Sequence, residues 1–407
     1  MLDNLGRQVL LILTVMLSGP AQALSLTMLV PAGFFQEGGG YQGLEPFLAV
    51  LEARGDTLKL VPVPDGQPFV EFACRELKQG KLDLVWIDSI HSGVLAPYAF
   101  DLNRLPQVDR QGFFPQFVAA HTHGGKLVAL PIMADVGVLV YRRDLLRNLG
   151  ETGLPSDWDG LASLARRVQD SQRRQGQHSF WGFWFRAEPS ENLTALLLEW
   201  SDPDDNQLVW EQSQRYLARA AVWLQTFVPA DVLYETEPQG VARFLAGDLF
   251  MTRTWVQGAG EIKSQLPPGL EVDLAAVPGG GALGGHGVMV AARSPNAAAA
   301  ADWAAELASY RFQRSLALAS RLLPARMAVY SDPGVRQARP EIGSLLPLFI
   351  SARLRPHDVL GAAYPRFSRR VQVGLRMALI DPASSGRAAA DIRTAYHAPT
   401  GADPCSP

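Results

Sequence analysis

The chain has 407 residues, a length that suits two or three domains rather than one. Hydrophobic residues make up 47% and charged residues 19%, the balance of an ordinary globular protein. The formal charge of −3 argues against a nucleic-acid partner, which needs a basic face, and no like-charge block marks a disordered tail.

Residues 1–23 read as an export signal. Arg7 precedes the apolar core "VLLILTVML" (9–17), and Ala21-Gln22-Ala23 supplies a small-x-small cleavage pattern. The core is too short for a permanent membrane span, so the mature chain is expected to begin at Leu24. No cysteine near the cut offers a lipid-anchor site, and no later apolar run reaches a spanning length. The expectation is a soluble exported protein.

"LSLTMLV" (24–30), "TLKLVPV" (57–63) and "LDLVWID" (82–88) read as strands. Between them, "LEPFLAVLEARG" (44–55) and "FVEFACRELKQG" (69–80) repeat apolar residues at helical spacing. Strand–helix–strand order predicts a parallel sheet with right-handed crossovers. "LVALPIMADVGVLVYRRDLL" (127–146) continues as strand into a short helix. Ser156 and Asp159 form a capping-box pattern for the next helix, with Leu161, Leu164, Ala165 and Val168 on its inner face. Residues 186–250 read as largely helical. A strand then reaches Pro278, and the six glycines within 279–287 read as a turn-rich connection before the strand "GVMVAA". Ser294-Pro295 reads as a helix start, with Trp303, Leu307 and Tyr310 on the apolar face. The last third is helical.

Several stretches carry polar groups that need a purpose. "GGGYQG" (38–43) fits the dinucleotide fingerprint, with Asp65 at the acidic position. Its first glycine falls eight residues after Val30, too far from the strand end, and an exported chain has little access to that cofactor. A loop is the plainer expectation. "HTHG" (121–124) holds two imidazoles, short of a zinc set, and reads as exposed loop histidines. Cys74 reads as a buried free thiol, although a bridge to Cys405 stays open in an exported protein. No cofactor or metal is expected.

Asp135 is the sharpest anomaly, a lone acid in an apolar run, costly to bury unless it is paired or hydrogen-bonded. Asp88 ends the third strand, where a parallel sheet binds ligands, although a helix cap would explain it equally. Glu191 follows the ring-rich "FWGFWFRAEPS", and Trp255 sits in "FMTRTWVQG". Trp158 and Trp303 look like core residues. Carboxylates beside exposed rings suit a sugar: the acids accept hydroxyl hydrogen bonds and the rings stack on a pyranose face.

Together these stretches resemble the extracytoplasmic solute-binding proteins of ABC importers, in particular the maltose/trehalose-type sugar-binding group. "LPIMADVGVLVYRRDLL" with "LPSDWDGLASLA" is similar to that family's "P…(D/E)…LYYRKDLL…P.TWDEL" segment. "VARFLAGDLFMTRTW", "VPGGGALGGHGVMVAARSPNAAAAADWAAELAS", "LLPARMAVYSDP" and "RPHDVLGAAYPRFSRRVQ" follow in the family's order, covering most of 57–380. The resemblance implies a two-lobed α/β periplasmic-binding-protein fold, each lobe a mostly parallel sheet flanked by helices. The lobes would be discontinuous: 24–134 with 286–330, and 135–285 with 331–407, hinged near 130–136 and 280–287. It implies a cleft holding Asp88, Asp135, Glu191, Trp255 and Arg355. His286 stands where the family often carries a tryptophan, and the loop holding Glu37 differs from the usual one, though Glu37 could still reach a ligand.

The implied function is a monomeric, periplasmic, non-enzymatic binding component. It would capture a mono-, di- or oligosaccharide and deliver it to the permease. Two alternatives remain. One is a binding protein for another polar solute: a polyol, a glycosylated small molecule or a glycerol phosphate. The other is an exported glycan-active or dinucleotide-dependent enzyme.

Overall fold

The computed structural model describes residues 23–35, 40–105, 108–201, 208–398 and 405. The expected export signal, apart from its last residue, and Glu37 lie outside the described residues.

The first lobe follows the predicted order. Strands β1 (Ser25–Val30), β2 (Thr57–Pro62) and β3 (Leu84–Asp88) are parallel, with β1 between the other two. Helices α1 (Gly40–Ala53) and α2 (Phe69–Lys78) make the crossovers. Helix α1 starts inside the glycine run, so residues 40–43 are a helical turn rather than a loop. A 3₁₀ turn, Ala32–Phe35, separates them from β1, which removes the strand–glycine–helix geometry of a dinucleotide site. Gly43 is required for packing, since a Cβ there would lie 2.1 Å from Leu316.

Strand β4 (Ala129–Arg142) is one unbroken element of 14 residues. Helix α3 (Trp158–Arg174) is capped by Asp157, whose carboxylate accepts from the Gly160 amide at 2.8 Å, one residue later than the Ser156 pattern predicts. Strand β5 (Trp181–Trp184), helix α4 (Glu191–Glu199), strand β6 (Leu249–Trp255), helix α5 (Val256–Ser264) and strand β7 (Val272–Ala276) build the second lobe. Strand β8 (Leu283–Val290) runs through Gly284, Gly285 and Gly287, which sequence had placed in a connection. Small residues are needed there because Trp255 and His121 press against the strand: a Cβ on Gly284 or Gly287 would lie 2.8 or 2.9 Å from them.

The helix expected from Ser294 begins at Ala297; the Ser294 hydroxyl donates to Asp83 and accepts from the Asn296 amide. It ends at Leu307, and Ser309 caps a second helix, Tyr310–Ala319, so Tyr310 is 39% exposed rather than on the apolar face. A short strand β9 (Leu323–Pro324) and the long helix α6 (Tyr364–Ile380) follow. Trp158 and Trp303 are core residues as expected.

Cys74 is not free. It forms a disulfide with Cys405, their Cα atoms 5.3 Å apart, and the ammonium of Lys78 donates to the Cys405 carbonyl. The bridge is the alternative that the sequence left open beside a free thiol: 331 residues separate the pair, and only the returning tail brings them together.

The sheet order is β2-β1-β3-β8-β4-β6-β5, with β9 and β7 also on β4. Strand β4 serves both lobes. Residues 129–136 pair with β8, while Gly137–Tyr141 pair with β6 and Val138–Arg142 with β7. At the handover the Gly137 amide donates to the Ala282 carbonyl at 3.0 Å. Two glycines meet there: a Cβ on Gly281 would sit 2.0 Å from the Gly137 carbonyl oxygen.

Candidate ligand-binding cleft

One cavity of about 330 Å³ opens at this handover. Asp88, Asp135, Glu191, Trp255, His286 and Arg355 all line it. Three arrive on neighbouring strands: His286 of β8 is in register with Asp88 of β3, and Gly284 of β8 with Asp135 of β4. Helix α4 brings Glu191 and β6 ends on Trp255.

Asp88 caps a turn and still faces the cavity. Its carboxylate accepts from the Ile90 amide at 3.1 Å, capping a 3₁₀ turn, and its side chain remains 31% exposed on the cavity. Burial pushes its carboxyl up, but His286, Arg355, His91 and the Ile90 amide outweigh that and bring it down to about 2. Asp135 differs. Its Oδ1 accepts from the amides of Val136 at 2.9 Å and Gln257 at 3.5 Å. Burial dominates over those bonds and over the charge of Arg253, and pushes the carboxyl up to about 7.

Glu191 is largely committed to the protein. Arg355 donates to Oε1 at 3.0 Å, Tyr364 donates to the same oxygen, and Ser368 donates to Oε2 at 2.5 Å. Burial raises its carboxyl, opposed by Arg355, Ser368 and Tyr364. Arg355 is 2% exposed, also donates to the Leu283 carbonyl at 3.0 Å, and approaches Asp88 at 4.0 Å. It therefore lies between Glu191 and Asp88.

Trp255 donates its indole N–H to Asn192 at 2.7 Å, and the Arg253 guanidinium lies 4.3 Å from its ring centroid. His286 is half-buried, and its Nδ1 has no protein partner. Burial lowers its pKa, against the pull of Asp88. Behind it, His121 is fully buried with Nδ1 3.0 Å from the Ser92 hydroxyl, not an exposed loop residue. Its burial follows from its place under Gly287 of β8.

Sequence reasoning missed Arg186, Ser190 and Asn192, which also line the cavity. Arg186 is held by Glu188 and by Glu237 at 3.0 Å. Only their closeness to Glu191 in the chain hinted at them. Among the described residues no group of three or more His, Cys, Asp or Glu is arranged to hold a metal ion. No helix of the described residues is long and apolar enough to cross a membrane. What the cavity offers is a ring, two acids with acceptor capacity and several fixed donors, an arrangement for hydrogen-bonding a polar solute.

Known proteins resemble the chain in sequence and fold. A family model described as bacterial extracellular solute-binding protein matches residues 57–341. A "probable ABC transporter-binding protein" of Deinococcus radiodurans is 31% identical over 336 residues, 77% of this chain and 80% of the relative. Maltose-bound T. maritima MalE3 superposes with a TM-score of 0.74 at 24% identity, over 92% of this chain and 99% of that one. The GacH receptor of Streptomyces glaucescens, solved unliganded and with acarbose, gives 0.73 at 20% identity, over 93% and 98%. A solute-binding protein of Agrobacterium radiobacter in complex with ribitol gives 0.71 at 17% identity, over 91% and 97%. At such identities these structures establish the fold, two lobes about a cleft.

Proposed function

Because this chain belongs to the bacterial extracellular solute-binding proteins of ABC transporters, which bind a solute and are not enzymes, we propose that it captures a carbohydrate. The observation that carries the reading is the shared lining of the cavity. Asp88 and His286 from one side meet Asp135, Glu191 and Trp255 from the other, around one indole ring. Carboxylates accept hydrogen bonds from paired hydroxyls, and an indole offers an apolar plane that matches a pyranose face. Relatives by fold that hold maltose and acarbose support the same class.

Capture works by closure. Water satisfies Asp135 in the open form and sugar hydroxyls satisfy it in the closed form. The lobes, 24–134 with 286–330 and 135–285 with 331–407, close about the strand crossings near 130–136 and 280–287. A ligand drives closure only because it touches both lobes and so binds the closed state more tightly. The closed monomer then presents its solute to the membrane permease. The disulfide supports a periplasmic location, since such bonds persist in oxidising compartments.

A polyol is the second reading. His286 replaces a stacking plane with a hydrogen-bonding ring, which suits an open-chain solute, and one relative by fold holds ribitol. A thermal-shift screen over mono- and disaccharides, polyols and phosphorylated solutes tests both, since a ligand of the native state raises the melting point by mass action. Stabilisation by sugars supports the first reading and by polyols alone the second. Stabilisation by neither class rejects both.

A further inference from the structure

Beneath the cleft wall lies an ion pair whose own residues do not line the cavity. Glu199, the last residue of α4, is fully buried, and Arg253 of β6 is nearly so. The two form a fork: Nε donates to Oε2 at 2.8 Å and Nη2 to Oε1 at 2.5 Å. Burying both charges is expensive, and a hydrophobic pair of similar volume would stabilise the fold as well or better. Such a pair calls for an explanation other than stability.

Its surroundings supply one. The Arg253 guanidinium lies 4.3 Å from the centroid of the Trp255 ring. Glu199 Oε1 also accepts from the Ala282 amide at 2.9 Å, beside the contact between Gly137 and Gly281. Gly137 has no Cβ because one would lie 1.9 Å from Glu199 Oε1 and 2.3 Å from Arg253 Nη2. The Glu199 carbonyl accepts from the Trp158 indole at 2.7 Å, which pins the end of α4 to the core. At the other end of the same helix, Asn192 accepts from the Trp255 indole N–H. One rigid helix therefore holds the ring twice, by its nitrogen and, through Arg253, against its face. The same helix grips the start of β8.

We propose that Glu199 and Arg253 are positioning residues: they fix the Trp255 ring at one orientation relative to the strand crossing, so that the ring meets the ligand preorganised. The planar guanidinium matters as well as the charge, because a flat, weakly hydrated cation covers an indole face that a compact ammonium meets only as a point charge. The effect on affinity rests on the carbohydrate reading above; the hold on the ring does not.

The full-length mature protein labelled with 5-fluorotryptophan tests the hold without ligand. The chain has nine tryptophans, and Trp255→Phe identifies the signal of interest. In Arg253→Lys, which keeps the charge and loses the plane, the Trp255 fluorine signal shifts or broadens while the others stay in place. Glu199→Gln does the same. An unmoved Trp255 signal in both variants overturns the proposal. So does a collapse of all signals in both, since the pair then supports the whole lobe rather than one ring. With maltose as probe, Arg253→Lys loses roughly tenfold in affinity, and loses nothing further in a Trp255→Ala background. An equal loss in that background also overturns the proposal. Absence of maltose binding by the parent protein counts against the disaccharide reading, while the fluorine spectra still decide the positioning role.

Discussion

Asp135 stands opposite Gly284 in the register of the two long strands, so no side chain rises across from its carboxylate. The space is taken instead by the edge of Trp255, which a Cβ on Gly284 would strike. Acid and ring are thus brought side by side by one missing side chain. Asp135 answers to two backbone amides and to the cavity.

Asp135→Asn should therefore weaken carbohydrate binding by about 1.5–3 kcal/mol, the range for hydrogen bonds to a charged group. The pH dependence sharpens the test. The native carboxyl keeps its proton up to about pH 7, whereas the unfolded one loses it near 4. Wild-type affinity should rise between pH 6 and 8 as the acceptor ionises, and the variant should be flat, both read by calorimetry. The sign for stability is opposite. A raised folded pKa means that the contribution of Asp135 to stability falls as pH rises from about 4 to about 7. Asp135→Asn should leave the ligand-free melting point unchanged near pH 4 and equal or higher at pH 8.

Much of this arrangement was legible from local pattern. The β1, β2 and β3 strands and the helices between them follow from periodicity, because each buries one face at a fixed spacing. Asp135 stood out because an acid in an apolar run needs a reason. What stayed hidden depends on partners distant in the chain. The glycines of β8 read as turns, because only Trp255 and His121 explain why a strand should lack side chains there. His121 read as exposed for the same cause. Cys405 sits 331 residues from Cys74, and Glu199 lies in a stretch legible only as helical, because its partners Arg253 and Ala282 are distant in the chain.

Glu191 and Arg355 should behave differently from Asp135. They lie on the cavity, yet their bonding is mostly internal, to each other, Tyr364, Ser368 and Leu283. Removing one partner of a buried pair leaves the other charge uncompensated, which costs about 3–5 kcal/mol. Arg355→Met should lower stability by that order in urea denaturation of the ligand-free protein. A variant as stable as wild type but defective in binding would instead make Arg355 a ligand contact.

The bridge between Cys74 and Cys405 fastens the tail to α2 in the first lobe. Closing so long a loop restricts the unfolded chain, and losing a native disulfide typically costs about 2–4 kcal/mol. The double variant Cys74→Ser with Cys405→Ser should lose stability of that order, and a reductant should produce the same loss in wild type and none in the variant. Ligand affinity should stay within twofold, because neither cysteine lines the cleft. A reductant that leaves the wild-type denaturation curve in place would show the thiols unpaired in solution.

Four histidines surround Asp88 and Arg355, His286 on the cleft and the other three behind it, and they should limit the stability of the fold in acid. Burial lowers His91 to about 4 and His121 and His357 to about 3, and lowers His286 as well. Asp88 pulls each of them back up, while Arg355 opposes it at His91, His286 and His357, and His286 does so at His91 and His121. Each of the four has one buried ring nitrogen without a protein partner, so the fold offers no reward for a second proton. Unfolded imidazoles take up protons below about 6.5 while the native ones stay neutral. Stability is therefore fully present above 6.5 and falls as pH drops toward 4. Asp135, Glu191 and Asp358, all raised by burial, work in the other direction, but the four imidazoles outnumber them. The melting point of the ligand-free protein should fall steadily from pH 6.5 to 4, with net proton uptake on unfolding near pH 5. That uptake is measurable from unfolding enthalpies in buffers of different ionisation heat, and a net proton release there would mean that the imidazoles are already charged in the native state.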